Sequence, residues 1–240
     1  MIWGSAALLP TLLIGSMALA DLRPWRNGEQ QRSPVSAVDE PPTSIPTAPS
    51  PELSPSSRPT PEDTPPTIPP SGSGDFAIAA GSSKTFGAAT QVLTYTVEVE
   101  ADLPYNAEAF AAAVDKTLAD RRGWTKDGEH AFQRTPNGPL RVVLATPATT
   151  DKLCAPLQTQ GKVSCRNGNF VVINAARWAT GADTFGDELA NYRIYVVNHE
   201  IGHSLGLGLG HANCPAPGNK APVMLQQTTG LQGCEANPWP

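Results

Sequence analysis

The stretch YRIYVVNHEIGHSLGLGLGH, residues 192–211, decides how the rest of this 240-residue chain is read. Leu189, Tyr192, Val196, His199 and His203 share one stripe at helical spacing, while Ile194, Val197, Ile201 and Leu205 cover much of the remaining surface. A helix apolar nearly all round belongs in the centre of a domain. Thr184-x-x-Asp187 has the form of a capping box, so the helix is predicted from residue 187 to about 206. Inside it, His199, Glu200, Ile201, Gly202 and His203 spell H-E-x-x-H. Residues four apart stand one turn above each other, so both imidazoles can meet at one metal ion. Glu200, beside the first ligand, is placed to hydrogen-bond a metal-held water rather than to ligate. With only 4 His in the chain, the pentad arises by chance with a probability of about 0.003. The bland reading, two satisfied core histidines and a helix-interior glutamate, buries three polar groups without a common partner and costs several kcal/mol.

Tetrahedral zinc with a position left for water needs a third protein ligand. Downstream of His203 the choices are His211 and Glu235, and His130 lies upstream. His211 is the expected ligand, because the glycines of residues 206–210 permit the left-handed turn that ends a helix and returns the chain to the metal. The helix is therefore expected to end near Gly206, with a Leu-Gly unit bulging outward before His211.

Working outward, residues 91–100 alternate as a strand with one buried face, and Asn106 caps a helix over residues 107 to about 121. Further strands are predicted at 131–135, 140–145 and 170–174, and beyond His211 no regular element is expected. Cys154, Cys165, Cys214 and Cys234 leave gaps of 10, 48 and 19 residues with no C-x-x-C pair, which disfavours zinc held by cysteine. Two disulfides are expected, and loop-closure economy favours Cys154 with Cys165 and Cys214 with Cys234, one of three possible connectivities.

The N-terminal third is different. Of 25 prolines, 13 fall within residues 33–74, a Pro/Ser/Thr-rich stretch without the apolar surface to offset ordering entropy. Residues 21–74 are therefore predicted to be a disordered linker, whose Pro-rich part extends to at most ~130 Å as a polyproline stalk. Residues 2–20 carry no charge and close with Ala18-Leu19-Ala20, so 1–20 is read as a signal peptide or an N-terminal membrane anchor. The expected domain, 75–240, holds 13 Lys and Arg against 15 Asp and Glu, which argues against nucleic acid as a partner. A monomer is expected, secreted or anchored at the cell envelope.

The residues around the pentad resemble the metzincin class of zinc peptidases, whose signature continues to a third histidine and a Met-containing turn. They are closer still to an uncharacterised actinobacterial family of exported metzincin-like domains, on three stretches: residues 192–198 leading into the pentad, Ala221-Pro222-Val223-Met224, and the ending at 233–240. The resemblance covers most of residues 90–240. It implies an α+β, zincin/metzincin-like fold: a twisted mixed sheet packed on two long helices, with an irregular disulfide-tied C-terminal part. It also implies His199 and His203 as ligands of one Zn2+, Glu200 as catalytic base, Gly206 at the bend and Met224 beneath the metal. Two departures stand out: His211 comes twelve residues after His199 where the class uses ten, and no tyrosine follows Tyr195. The sequence thus points to an extracytoplasmic zinc peptidase acting on peptides, proteins or envelope material, the alternative being an inactive metzincin-like binding or scaffold domain.

Overall fold

The longest alternating run in the sequence forms strand β3 (Val92–Glu100), and the sheet is built around it. The structure, a computed structural model, describes residues 65–207 and 210–240. Two short strands, β1 (Phe76–Ile78) and β2 (Phe86–Gly87), precede β3, and four follow it: β4 (Ala131–Arg134), β5 (Leu140–Ala145), β6 (Cys165–Asn167) and β7 (Phe170–Asn174). Their order is β2-β4-β3-β5-β7-β6, with β1 paired to the C-terminal end of β3. The four central strands β4, β3, β5 and β7 run parallel, and β1, β2 and β6 are antiparallel additions. Parallel neighbours need crossovers. One contains helix α1 (Ala107–Ala119) and the next contains α2 (Pro147–Cys154), while α3 (Ala175–Thr180) and α4 (Leu189–Ser204) follow the last strand. The fold is therefore α+β with a mixed sheet, carrying two short helices and three short strands beyond those expected.

The ends of the long helices show local and distant forces in turn. Asn106 caps α1 as expected, its side chain accepting from the Ala109 amide at 2.9 Å, but the helix stops at Ala119. The capping box proposed at Thr184 does not form. Residues Asp183–Phe185 make a 3-10 turn, the Thr184 hydroxyl donates to the Gln227 carbonyl at 2.7 Å, and α4 starts at Leu189 without a side-chain cap.

Tyr95, Val97 and Val99 of β3 join Val142, Leu144, Val171 and Ile173 in the main core, with Phe110 and Leu118 of α1 and Tyr195 and Ile201 of α4. On the other face Val143, Ala145 and Val172 pack with the Cys154 and Cys165 disulfide. The alternation in β3 therefore does not separate buried from solvated, as the sequence reading supposed. Glu98 is buried against Arg141, whose Nε donates to it at 2.6 Å. Glu100, fully buried, accepts from the Gly74 amide at 3.0 Å and from the Thr146 amide and Thr149 hydroxyl, both at 2.7 Å.

Those contacts move the start of the domain. Residues 65–74, expected to belong to the solvated linker, lie on the fold: Ile68 packs on the main core and the Pro70 carbonyl accepts from the Ala148 amide at 3.0 Å. A Cβ at Gly72 would stand 2.4 Å from Glu100 Oε1, so the arm approaches the carboxylate as only glycine allows. The signal or anchor at 1–20 and the linker up to residue 64 lie outside the described residues. No described helix is long and apolar enough to cross a membrane.

After Ser204 no helix or strand forms among the described residues, as expected, and side-chain amides replace regular structure. Buried Gln227 donates to the Pro222 and Asn237 carbonyls and accepts from the Asn237 amide, while Asn237 donates to the Ala221 carbonyl. The disulfides are Cys154 with Cys165 and Cys214 with Cys234, the pairing favoured by loop closure. Two such bridges suit an oxidising, extracytoplasmic environment.

Replacing Glu100 by Gln turns an amide group toward donors that need an acceptor, at a cost of about 1–3 kcal/mol. The urea midpoint of Glu100→Gln should fall, and residues 65–74 should become the first site of limited proteolysis. An unchanged midpoint and cleavage pattern would show that the arm is not held by this carboxylate.

Candidate metal centre

Helix α4 packs into the main core with the strands and buries His199 and Glu200 at 1% and 2% exposure. The first consequence concerns the His199 ring. Its Nδ1 lies 2.8 Å from the Val223 carbonyl, which can only accept, so Nδ1 carries the proton and Nε2 keeps its lone pair. That Nε2 is buried and has no hydrogen-bond partner among the described residues. A buried acceptor left alone is costly unless something else meets it.

What surrounds it is two more imidazoles. The His199 ring centroid lies 4.9 Å from that of His203 and 5.2 Å from that of His211, and one nitrogen from each of the three falls within 4.8 Å of the others. Burial pushes the His199 pKa down to about 3, with smaller contributions from its two imidazole neighbours working against the Val223 bond. Burial and then His203 lower that of His211. Both rings therefore stay neutral at physiological pH with lone pairs available. Neutral imidazoles, one aligned by an outer carbonyl and pointing an unmet nitrogen at the others, fit a metal ion.

The third histidine arrives as the sequence suggested. At the end of α4 the Leu205 amide bonds the Ile201 and Gly202 carbonyls, and Gly206 follows at φ +80°, a left-handed residue that stops the helix. The Ala212 amide then donates to the Met224 carbonyl at 2.9 Å, which draws His211 back to the cluster. The outward bulge was expected at Leu207 and Gly208, and Gly208 lies with Leu209 outside the described residues. Neither alternative ligand joins the cluster: Glu235 is engaged in backbone pairing with Asn219 and Ala221, and His130 stands edge-on to Trp124.

Residues 63–240 match the family described as "Protein of unknown function (DUF3152)". The chain belongs to that family. No curated protein and no solved structure matches it. The matched region begins with the arm on Glu100 rather than at residue 75 and includes all three histidines, Glu200 and both disulfides.

In this DUF3152 domain the floor of the cluster depends on a residue that the pentad leaves unspecified. A Cβ at Gly202 would stand 2.4 Å from Met224 Sδ and 2.8 Å from Trp124 Cζ2, so both side chains rest against bare helix backbone. Trp124 Nε1 also donates to the Asn198 carbonyl at 3.0 Å. Glu200 lines, with His203, His211 and Gln226, a cleft of about 480 Å³ that residues 157–159 and 163–166 also line. Burial pushes the Glu200 carboxyl up to about 8, toward the protonated form wherever no cation faces it. Gln226 places its amide nitrogen 3.4 Å from His211 Nε2 and accepts from the Tyr195 hydroxyl through Oε1. Sequence reasoning missed Trp124, Gly202, Arg166 and Gln226; only Gln226, two residues beyond Met224, carried a positional signal.

Two substitutions separate floor from ligand. Gly202→Ala forces Met224 and Trp124 aside and should cost about 1–3 kcal/mol of stability, read as a lower denaturant midpoint. His211→Ala should keep that midpoint in the metal-free protein. It should lower affinity for a divalent ion by more than the about 10–100-fold of an outer-shell change, measured by chelator competition. Unaltered affinity would remove His211 from the ligand set.

Proposed function

We propose that this protein is an extracytoplasmic zinc-dependent peptidase of metzincin-like fold, with His199, His203 and His211 holding one Zn2+ and Glu200 serving as general base. The observation that carries the reading is the unmet, buried His199 Nε2 facing two further imidazoles beside a carboxylate that opens onto a cleft. Three neutral nitrogen donors with a side open to solvent suit catalytic zinc better than a closed structural site. The metzincin likeness is supported by H-E-x-x-H on a buried helix below a mixed sheet, a glycine-terminated turn to the third histidine, and Met224 packed under the helix at Gly202.

Zinc bound there would polarise a substrate carbonyl and acidify a coordinated water. The chain's own residues do the rest. Val223 holds the His199 ring so that its lone pair faces the cluster. Glu200, buried and without freedom to wander into solvent, accepts the proton of the attacking water and returns it to the leaving amine. The Gln226 amide lines the same cleft beside His211 and supplies a donor for the developing oxyanion, where some metzincins offer a tyrosine. The longer spacing before His211 does not keep it from the cluster, since one nitrogen from each histidine lies within 4.8 Å of the others, which supports a complete metal site. The inactive scaffold, which could also keep the metal, is separated from the peptidase by hydrolysis.

The zinc-loaded protein should hydrolyse members of a generic peptide library, lose that activity to a chelator and regain it with added zinc. Glu200→Gln should retain its metal while turnover falls by about 10²–10⁴-fold, because a base and not a ligand is removed. Wild-type hydrolysis by Glu200→Gln would overturn the assigned mechanism.

A further inference from the structure

The cleft that the histidines line also contains a charge that nothing among the described residues answers. Arg166 sits on β6, the edge strand, between Cys165, which is tied by its disulfide to Cys154, and Asn167, whose side chain donates to the Leu153 and Ala155 carbonyls. Pairing of β6 with β7 sets Arg166 opposite Val171, so its backbone is held by the ladder as well as by its two anchored neighbours. Its side chain is partly buried and lines the cleft with Glu200, His203, His211 and Gln226. Its Nε is buried without a hydrogen-bond partner, and no ion pair reaches its guanidinium among the described residues.

The other partly buried arginines of the domain are answered. Arg134 bonds Asp115, Arg141 bonds Glu98, and Arg177 and Arg193 donate to backbone carbonyls. Leaving a guanidinium partly desolvated and unpaired is unfavourable, so a position that does so on a rigid strand is suited to a partner from outside. The fork of a guanidinium matches a carboxylate in two parallel hydrogen bonds. Glu200 is the sole carboxylate among the residues lining this cleft, and it is needed as the base. With a divalent cation on the histidines, Glu200 is opposed by the cation and Arg166 adds to a net positive field that draws anions. Leu157 and Val163 line the same cleft and offer apolar surface to the rest of a bound peptide.

We propose that Arg166 is a specificity-determining residue that binds a carboxylate of the peptide substrate, either an acidic side chain near the scissile bond or the free C-terminus. This rests on the peptidase reading above. Both sources present the same chemistry to the fork, and matched peptides tell them apart: Glu against Gln at each internal position, and free acid against amide at the C-terminus.

The experiment measures kcat/KM for these pairs with the full zinc-loaded chain, alongside Arg166→Gln and Arg166→Lys. Affinity for the same peptides is measured by fluorescence anisotropy on the Glu200→Gln protein. Wild type should prefer the carboxylate member of at least one pair by about tenfold or more, equivalent to about 1.4 kcal/mol or more. The preference should shrink in Arg166→Lys, which keeps the charge and loses the fork, and fall to about unity in Arg166→Gln. Cleavage without preference, or a preference that survives in Arg166→Gln, would overturn the inference and leave the peptidase reading standing. Arg166-dependent binding of the carboxylate peptides without any hydrolysis would support the inference and overturn the peptidase reading. Equal binding of acid and amide peptides with no hydrolysis would overturn both.

Discussion

The hydrogen bond between His199 Nδ1 and the Val223 carbonyl joins the buried helix to the irregular C-terminal segment, and the arrangement of the centre follows from it. A carbonyl at that nitrogen fixes both the tautomer and the plane of the ring, so the other nitrogen must face the cluster. The next residue then serves twice. The Met224 carbonyl accepts from Ala212, which sets the path of His211, and its sulfur lies on the bare backbone of Gly202, one turn from the same ring. Displacing residues 223–224 would therefore disturb His199, His211 and the floor together.

That segment has no sheet or helix of its own to hold it, so buried polar groups do. The Tyr195 hydroxyl accepts from the Gln227 amide at 2.8 Å and donates to the Leu225 carbonyl at 3.0 Å, while Gln227 and Asn237 lace residues 221–239 together. Burial pushes the Tyr195 phenol well above its ordinary range and that of Tyr192 up to about 12, so both remain neutral donors. Fully satisfied networks of this kind rigidify a region and specify one arrangement of it. Precision at the histidines is thus obtained from amides and phenols around a helix that hydrophobic packing has already placed.

Sequence reading succeeded where the determining forces are local. The i, i+4 spacing of His199 and His203, the Asn106 cap and the glycine stop at 206 each depend on a few consecutive residues, and each appears in the fold. It failed where a distant partner decides. Thr184 looked like a helix cap because its reach to the Gln227 carbonyl, 43 residues away, leaves no local trace. Glu98 and Glu100 looked like a solvated face because Arg141 and the arm at 72–74 approach them only in three dimensions. Gly202 occupied an unspecified position of the pentad, and its need for glycine comes from Met224 and Trp124, which lie 22 and 78 positions away in sequence. Three-residue β6 was too short to show alternation, so Arg166 had no place in the sequence reading.

The central claim is that three imidazoles from this chain hold one metal ion with a position left open to the cleft. X-ray absorption at the zinc edge of the purified, zinc-equilibrated protein tests it most directly, because it counts ligands without requiring a substrate. The account predicts one zinc per chain with three histidine nitrogens at about 2.0–2.1 Å and one additional oxygen of solvent. Two imidazoles, sulfur ligation or the absence of stoichiometric zinc would contradict it.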